Sequence, residues 1–412
     1  MISRRIFLKD GALALVSLGF APTFLARTVE GIAASRQKVL IAIFQRGAVD
    51  GLNMIVPFGD RDYYAARPSI AIARPGSSDD TAIDLDGFFG LHPRMRPLKP
   101  LWDAGHLAIV HASGSHDETR SHFDAQDYME SGTPGIKSTP DGWMNRYLHA
   151  REHQKGTPFR AVALAQQLPR SLQGTAPALA IGQIAQFGIR AGQATDGVQS
   201  SFEAEYAAAA EGVLHSTGRE AFEAIRMLRQ ADPSQYTAAN GAEYPRSPFG
   251  DALRQIAQLI KADVGLEVAF AESGNWDHHA NEGAAVGILA NRLDDLSRGI
   301  GALVRDLGDR MQDVVVLTMS EFGRAVAENG SRGTDHGHGN AMMVIGGAVR
   351  GGKVYGRWPG LAREQRHDGR DLAITTDFRA VFNETVRTHL ALRDTSHVFP
   401  GFKSSPPLGL FA

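Results

Sequence analysis

Cysteine is absent from the 412 residues. That excludes disulfides, thiol nucleophiles and cysteine-held zinc together, so any metal must be held by histidine and carboxylate. No charge of one sign is in excess: 43 Lys and Arg face 45 Asp and Glu, and charged residues are 21% of the chain. Nothing electrostatic therefore argues for nucleic acid or an acidic partner. Beyond the first thirty-odd residues no stretch is long and apolar enough to span a bilayer, so no stable membrane span is expected in the mature chain. H-E-x-x-H, G-x-S-x-G and P-loop patterns are missing, which leaves metalloprotease, α/β-hydrolase and nucleotide-kinase readings without their signatures. There is no dinucleotide fingerprint, no internal repeat and no low-complexity tract.

What is present begins with the N-terminus. Ser3-Arg4-Arg5-Ile6-Phe7-Leu8-Lys9 precedes a moderately apolar run, Gly11 to Ala26. A basic segment followed by a short apolar one reads as a targeting signal. The adjacent arginines, with Phe and Leu after them, match the twin-arginine pattern. The expectation is a signal over residues 1–34, cut between Ala26 and Ser35. Its partner would be the twin-arginine translocase, and the folded protein would reach the periplasm or the extracellular space.

A hydrophobic content of 43% allows a large core. Five apolar runs read as buried strands: Val39–Phe44, Leu107–His111, Leu266–Ala271, Val314–Thr318 and Ala341–Ile345. Between the third and fourth lies an amphipathic helix whose Leu289, Leu293, Leu296, Ile300, Leu303 and Leu307 form one stripe. Further helices are expected around Met95–Ala104, Phe249–Ala262 and Asp377–His389. Alternating strands and helices predict an α/β fold, a doubly wound and mostly parallel sheet with helices on both faces. Residues 35–412 read as one such domain, with 156–241 a helical insertion or cap.

Polar groups gather where strands end. Asp50 follows the first strand, and Thr119-Arg120-Ser121-His122 follows the second. Asp277, His278 and His279 follow the third, and Glu321, Asp335, His336 and His338 follow the fourth. Parallel strands end on one edge, so these groups can converge into a site for a divalent cation. Zinc is favoured, with manganese, magnesium or calcium as alternatives. Only one of His278 and His279 need face inward. His111 and His122 read as packed or surface residues. Ser121, with Asp124 three positions on, resembles a capping box. At a helix start Ser121 also lies beside backbone amides that favour an anion, and near a metal it becomes a candidate nucleophile. Arg46, Arg120 and Arg324 are candidates to clamp that anion.

Arg46–Asn53 (RGAVDGLN), Ser121–Gly132 (SHFDAQDYMESG), Trp276-Asp277-x-His279, Ser320–Arg324 (SEFGR) and Asp335-His336 together resemble a bacterial family of exported proteins, domain-of-unknown-function family 1501. That family is placed in the alkaline phosphatase and sulfatase superfamily, so the resemblance implies an alkaline phosphatase-like fold with two divalent metals. It implies that Asp50 is a metal ligand, that Asp277 and His279 bind one ion, and that His336 is a late histidine ligand. It puts Ser121 near the nucleophile. The chain departs from the pattern at Glu321-Phe322, where the superfamily has an Asp-His pair, so one histidine ligand is missing. Thr119 rivals Ser121, and His338 is an alternative to His336. Two functions follow as expectations. One is a metal-dependent hydrolase of anionic phosphate or sulfate esters. The other is a non-catalytic exported binding or assembly protein that keeps the fold. An oxidoreductase is suggested only by the export route.

Overall fold

The computed structural model describes residues 37–151, 157–186, 227, 236–403 and 406–412. The predicted signal, residues 1–34, lies outside them, as does most of the predicted helical insertion. Nine strands among the described residues build the main sheets: β1 (Val39–Gln45), β2 (Leu107–Gly114), β3 (Ala161–Ala163), β4 (Leu179–Ala180), β5 (Val268–Ser273), β6 (Val314–Met319), β7 (Asn340–Gly346), β8 (Lys353–Tyr355) and β9 (Thr376–Asp377). The helices that matter most are α1 (His122–Ser131), α2 (Pro248–Lys261), α3 (Ile288–Leu307) and α4 (Phe378–Glu384).

The chain divides into two compact units. The smaller one holds the parallel strands β3 and β4, with β3 also parallel to the start of β5. Short strands thus occupy part of the segment predicted to be a helical cap. In the larger unit, comprising Lys38–Thr139, Ala238–Arg254 and Ala271–Ala412, the strand order is β8-β2-β7-β6-β1, with β9 also paired to β2. β1 runs parallel to β6 from Val39↔Val314 to Phe44↔Met319, and β8 and β9 run parallel to β2. The architecture is α/β with a mostly parallel sheet, as the strand–helix alternation predicts.

The exception is β7, which is antiparallel to both β2 and β6. An antiparallel return needs no crossover. The loop 320–339 therefore leaves the carboxyl end of β6 and re-enters the sheet at the same edge. The turns after β1 and β2 open on that edge too, so residues 46–50, 115–121 and 320–339 are brought together there.

The six apolar residues of the α3 stripe are all buried, as is every residue of β1 and β6. Each valine, leucine, isoleucine, methionine or phenylalanine among them contributes about 1.5–3 kcal/mol on burial. The tight turn after β1 needs glycine at one position. Gly47 has φ +114°, and a Cβ there would sit 2.8 Å from the backbone nitrogens of Trp276 and Asp277. That close approach lets Arg46 N–H donate to the Ser273 carbonyl at 2.9 Å and Trp276 N–H to the Arg46 carbonyl at 3.2 Å. The segment carrying Asp277 is thereby tied to the end of β1.

Candidate metal centre

α1 starts at the sheet edge and turns one face inward. His122, Gln126 and Glu130 recur every four residues, so they line up along that face. Gln126 Nε2 donates to Glu321 Oε1 at 2.8 Å, and Arg46 Nη2 donates to Glu130 Oε1 at 2.8 Å. His122 Nδ1 meets Glu321 Oε1 at 2.8 Å. Glu321, at the end of β6, has a fully buried side chain and also accepts from Gly47 N–H at 2.8 Å. Burial alone would raise its pKa. The hydrogen bonds from His122, Gln126 and backbone N–H groups outweigh that and hold it below the usual value.

Three imidazoles point their Nε2 atoms at one spot. His336 Nε2 lies 3.0 Å from His122 Nε2 and 3.0 Å from His279 Nε2. The Asp277 carboxylate joins them: Oδ1 is 3.0 Å from His279 Nε2 and 3.3 Å from His336 Nε2, and Oδ2 is 3.5 Å from His122 Nε2. His122, Asp277 and His336 offer ligand atoms that all lie within 4.8 Å of one another, and they form a group that could hold a metal ion. Phe322 floors the cluster, with its ring 5.0 Å from His122 and 5.1 Å from His336.

The other nitrogen of each ring decides what this arrangement fits. His122 Nδ1 faces the Glu321 carboxylate, His336 Nδ1 the Arg120 carbonyl at 2.8 Å, and His279 Nδ1 the Asp335 carboxylate at 3.3 Å. A carbonyl or an ionised carboxylate can only accept, so each Nδ1 carries a proton, and in the neutral ring each Nε2 then presents a lone pair. Three lone pairs and a carboxylate then face one another. A single proton on His336 Nε2 could serve one neighbour but not both. Nitrogens bound tetrahedrally about 2.0–2.1 Å from a zinc ion stand ~3.3 Å apart, close to the spacing here. Histidine ligands with Nδ1–H donated to an oxygen are the usual supporting shell of a metal. The donor set fits a divalent ion.

The surrounding groups bias the members of the cluster differently. The Glu321 hydrogen bond, first among several causes, raises the His122 pKa. Desolvation lowers that of His336. Burial would raise Asp277, but the Arg324 hydrogen bond and charge overcome it, so Asp277 stays ionised. Arg324 Nη1 donates to Asp277 Oδ1 at 2.6 Å. Gly337, between His336 and His338, makes room for this: a Cβ there would fall 2.3 Å from the Arg324 backbone.

Asp277, His279 and His336 thus lie together, and of the adjacent pair it is His279 that joins the cluster. His278 is buried, and desolvation pushes its pKa down to about 4. The remaining predicted ligands stand elsewhere. Asp50 is buried against Arg67, and its Oδ1 caps Leu52 N–H at 3.2 Å. Glu321 touches no part of the Nε2 cluster directly and supports it through His122. His338 stacks on His367, with rings 4.2 Å apart.

Ser121 is the N-cap of α1 but makes no side-chain cap hydrogen bond. The expected capping box with Asp124 does not form, because Asp124 pairs with Lys137 at 2.8 Å. Ser121 is exposed, and its N–H donates to the Thr119 hydroxyl at 3.2 Å. Arg120 pairs with Asp371 at 2.7 Å, and Arg46 pairs with Glu130 and Glu272.

Sequence reasoning passed over Arg67 and Glu282 and read His122 as a packed or surface residue, whereas its Nε2 lies in the cluster. His122 carried a usable signal. It opens the helix beside Ser121, where side chains lean back toward the N-terminus and hence toward the sheet edge. Arg67 and Glu282 carried none, since neither lies in a polar cluster at a strand end.

No curated protein matches the chain. Among solved structures it is similar to the C-terminal periplasmic domain of EcEptC from Escherichia coli, crystallised as a complex with Zn, at 7% identity and TM-score 0.34, covering 77% of this chain and 75% of that one. It is similar to the lipoteichoic acid synthase LtaP from Listeria monocytogenes at 8% identity and TM-score 0.31, covering 75% and 65%. It is also similar to the PsFucS1 sulfatase from Pseudoalteromonas sp. at 11% identity and TM-score 0.37, covering 92% and 74%. The family described as "Protein of unknown function (DUF1501)" matches residues 37–390, nearly all of the described chain, and the protein belongs to that family.

Proposed function

We propose that the protein is an exported, metal-dependent hydrolase of phosphate or sulfate esters whose ion is held by His122, His279, His336 and Asp277. One observation carries the reading: three imidazoles have Nδ1 facing acceptors while their Nε2 atoms meet at 3.0 Å beside a carboxylate. The nitrogen-rich set favours zinc over magnesium or calcium. A bound divalent ion would polarise an ester oxygen and offset negative charge as it develops. Ser121 is assigned as nucleophile because it is exposed, free of a capping role and adjacent to His122. The first N–H groups of α1 would attract the anionic part of the substrate. Thr119 is the weaker candidate, since its hydroxyl already accepts the Ser121 N–H. Arg120 is the guanidinium assigned to orient the anion, being partly exposed. Arg324 is assigned instead to fixing Asp277.

The test is elemental analysis of the folded protein, followed by turnover of generic phosphate and sulfate monoesters. The expected result is a stoichiometric ion and a turnover abolished by Asp277→Ala and by His336→Ala. Absence of any bound ion would remove the metal reading. An ion without turnover would favour the second reading, a non-catalytic binding protein. That reading draws support from Arg46, Arg120 and Arg324, each of which is already paired with a carboxylate. Export by the twin-arginine route to the periplasm is part of the proposal. Replacing Arg4 and Arg5 with lysine should leave the protein in the cytoplasm, as read by cell fractionation.

A further inference from the structure

We infer that Arg67 and Arg324 fill with guanidinium charge the place a second metal ion would take, so that the chain binds one divalent ion and not two. The inference rests on the metal reading above and fixes its stoichiometry.

The two-metal pattern that the chain resembles would make Asp50 a ligand. Asp50 is instead buried, with both carboxylate oxygens engaged. Arg67 Nη2 donates to Oδ1 at 3.1 Å, and Nη1 donates to Oδ2. The Arg67 side chain is itself fully buried, and all five of its N–H donors have acceptors. Besides Asp50 these are the Asn53 side chain at 2.9 Å and the carbonyls of Val326 at 2.9 Å and Ala325 at 3.0 Å. A saturated fork of this kind has no reason to swing away. A cation approaching Asp50 would have to expel a buried, fully hydrogen-bonded cation.

Arg324 extends the substitution toward the histidines. Its side chain is fully buried, its charge acts on both Asp50 and Asp277, and Nη1 holds Asp277 Oδ1. Nε donates to Thr334 Oγ1 at 3.1 Å, and Thr334 Oγ1 donates to Glu282 Oε2 at 2.9 Å. Glu282 is buried beside Asp50. Desolvation, with the Asp50 charge next, raises its pKa well above the ordinary range. Two guanidinium groups thus face two carboxylates held in the ionised form, Asp50 and Asp277. The pocket is charge-balanced without an ion at Asp50. In the Nε2 cluster, by contrast, the three ring nitrogens face only one another and the Asp277 carboxylate.

The experiment is saturation of the full chain, stripped with a chelator, by Zn²⁺ and separately by Mn²⁺. Bound ion is counted after gel filtration. One ion per chain is expected for either metal. Two tightly held ions would overturn the inference and leave the metal reading intact. No bound ion would overturn the metal reading itself, and the inference with it. Asp50→Asn adds a second readout: affinity should change by less than the ~10-fold that even a supporting-shell residue costs, with one ion still bound. Loss of the ion in a folded Asp50→Asn chain would make Asp50 a ligand and overturn the inference. Should that variant fail to fold, the count on the unmutated chain still decides.

Discussion

Two pockets near the same sheet edge hold acidic residues that the sequence presents alike, and they differ in what already neutralises them. At Asp277 three imidazoles converge through their Nε2 atoms, partly open to solvent. At Asp50 a buried arginine has every donor in place. Both carboxylates meet a guanidinium, and the difference lies in how much of each is taken: Arg324 holds Asp277 at Oδ1 alone, whereas the Arg67 fork takes both oxygens of Asp50. Arg67 arrives from a one-and-a-half-turn helix, Arg61–Ala66, of which it is the C-cap. Nothing in the spacing of the strand-end acids signals that arrival.

The comparison can be broken most directly at His336. His336→Ala removes the nitrogen that lies 3.0 Å from two others, and ion affinity should fall by more than the ~10–100-fold typical of a supporting residue. Elemental analysis after dialysis reads the result, and a variant that retains a full complement of ion would dissolve the distinction between the pockets. Next in size is the opposite pocket. Arg67→Met leaves Asp50 ionised and buried without its partner, a defect that costs about 3–5 kcal/mol. Chemical denaturation should show that loss, while the ion bound per folded molecule stays the same. A loss below 1 kcal/mol would mean that Asp50 has another source of compensation.

A smaller effect sharpens the comparison from behind the ligands. Glu321→Gln keeps the shape but removes the charge facing His122 Nδ1. Metal affinity should weaken by about 10-fold and the His122 pKa should fall, since the Glu321 hydrogen bond is the main cause of its elevation. Calorimetric titration and NMR titration of the imidazole check the two halves. The most gradual effect concerns histidines of the other kind. His92, His111 and His389 each have Nε2 directed at a backbone carbonyl, those of Ala284, Ile55 and Val39. Desolvation pushes all three down to about 4 from an ordinary 6.5. Between those values the unfolded chain binds more protons than the folded one, so stability rises with pH across that window and is lost as pH falls from about 6.5 toward 4. Melting temperature against pH should show this slope, and His111→Gln should flatten part of it. A melting temperature independent of pH over that range would contradict the assignment of these rings as neutral core groups.

These contrasts show where the sequence was readable. The apolar runs and the α3 stripe were legible because burial imposes periodicity, and five strands and the long helix follow from it. The meeting of Asp277, His279 and His336 was legible because strands of a doubly wound sheet share an edge. The direction of β7 was not, since an apolar run reads the same either way along a sheet. The role of His122 was obscured because one histidine at a helix start has no partner visible in sequence; its Nδ1 acceptor, Glu321, lies 199 positions away. The fate of Asp50 depended on a buried ion pair formed at a separation of 17 residues, outside any helical or strand repeat.

The span of the histidine cluster carries a mechanical consequence. His122 and His336 are 214 positions apart, with Asp277 between them. An ion seated there would act as a non-covalent crosslink, tying the end of one strand to loops that lie far along the chain. A protein with no sulfur bridge available would gain from it the restraint on its unfolded ensemble that secreted proteins commonly obtain by oxidation. Chelation should then shorten the lifetime of the native state as well as empty the pocket.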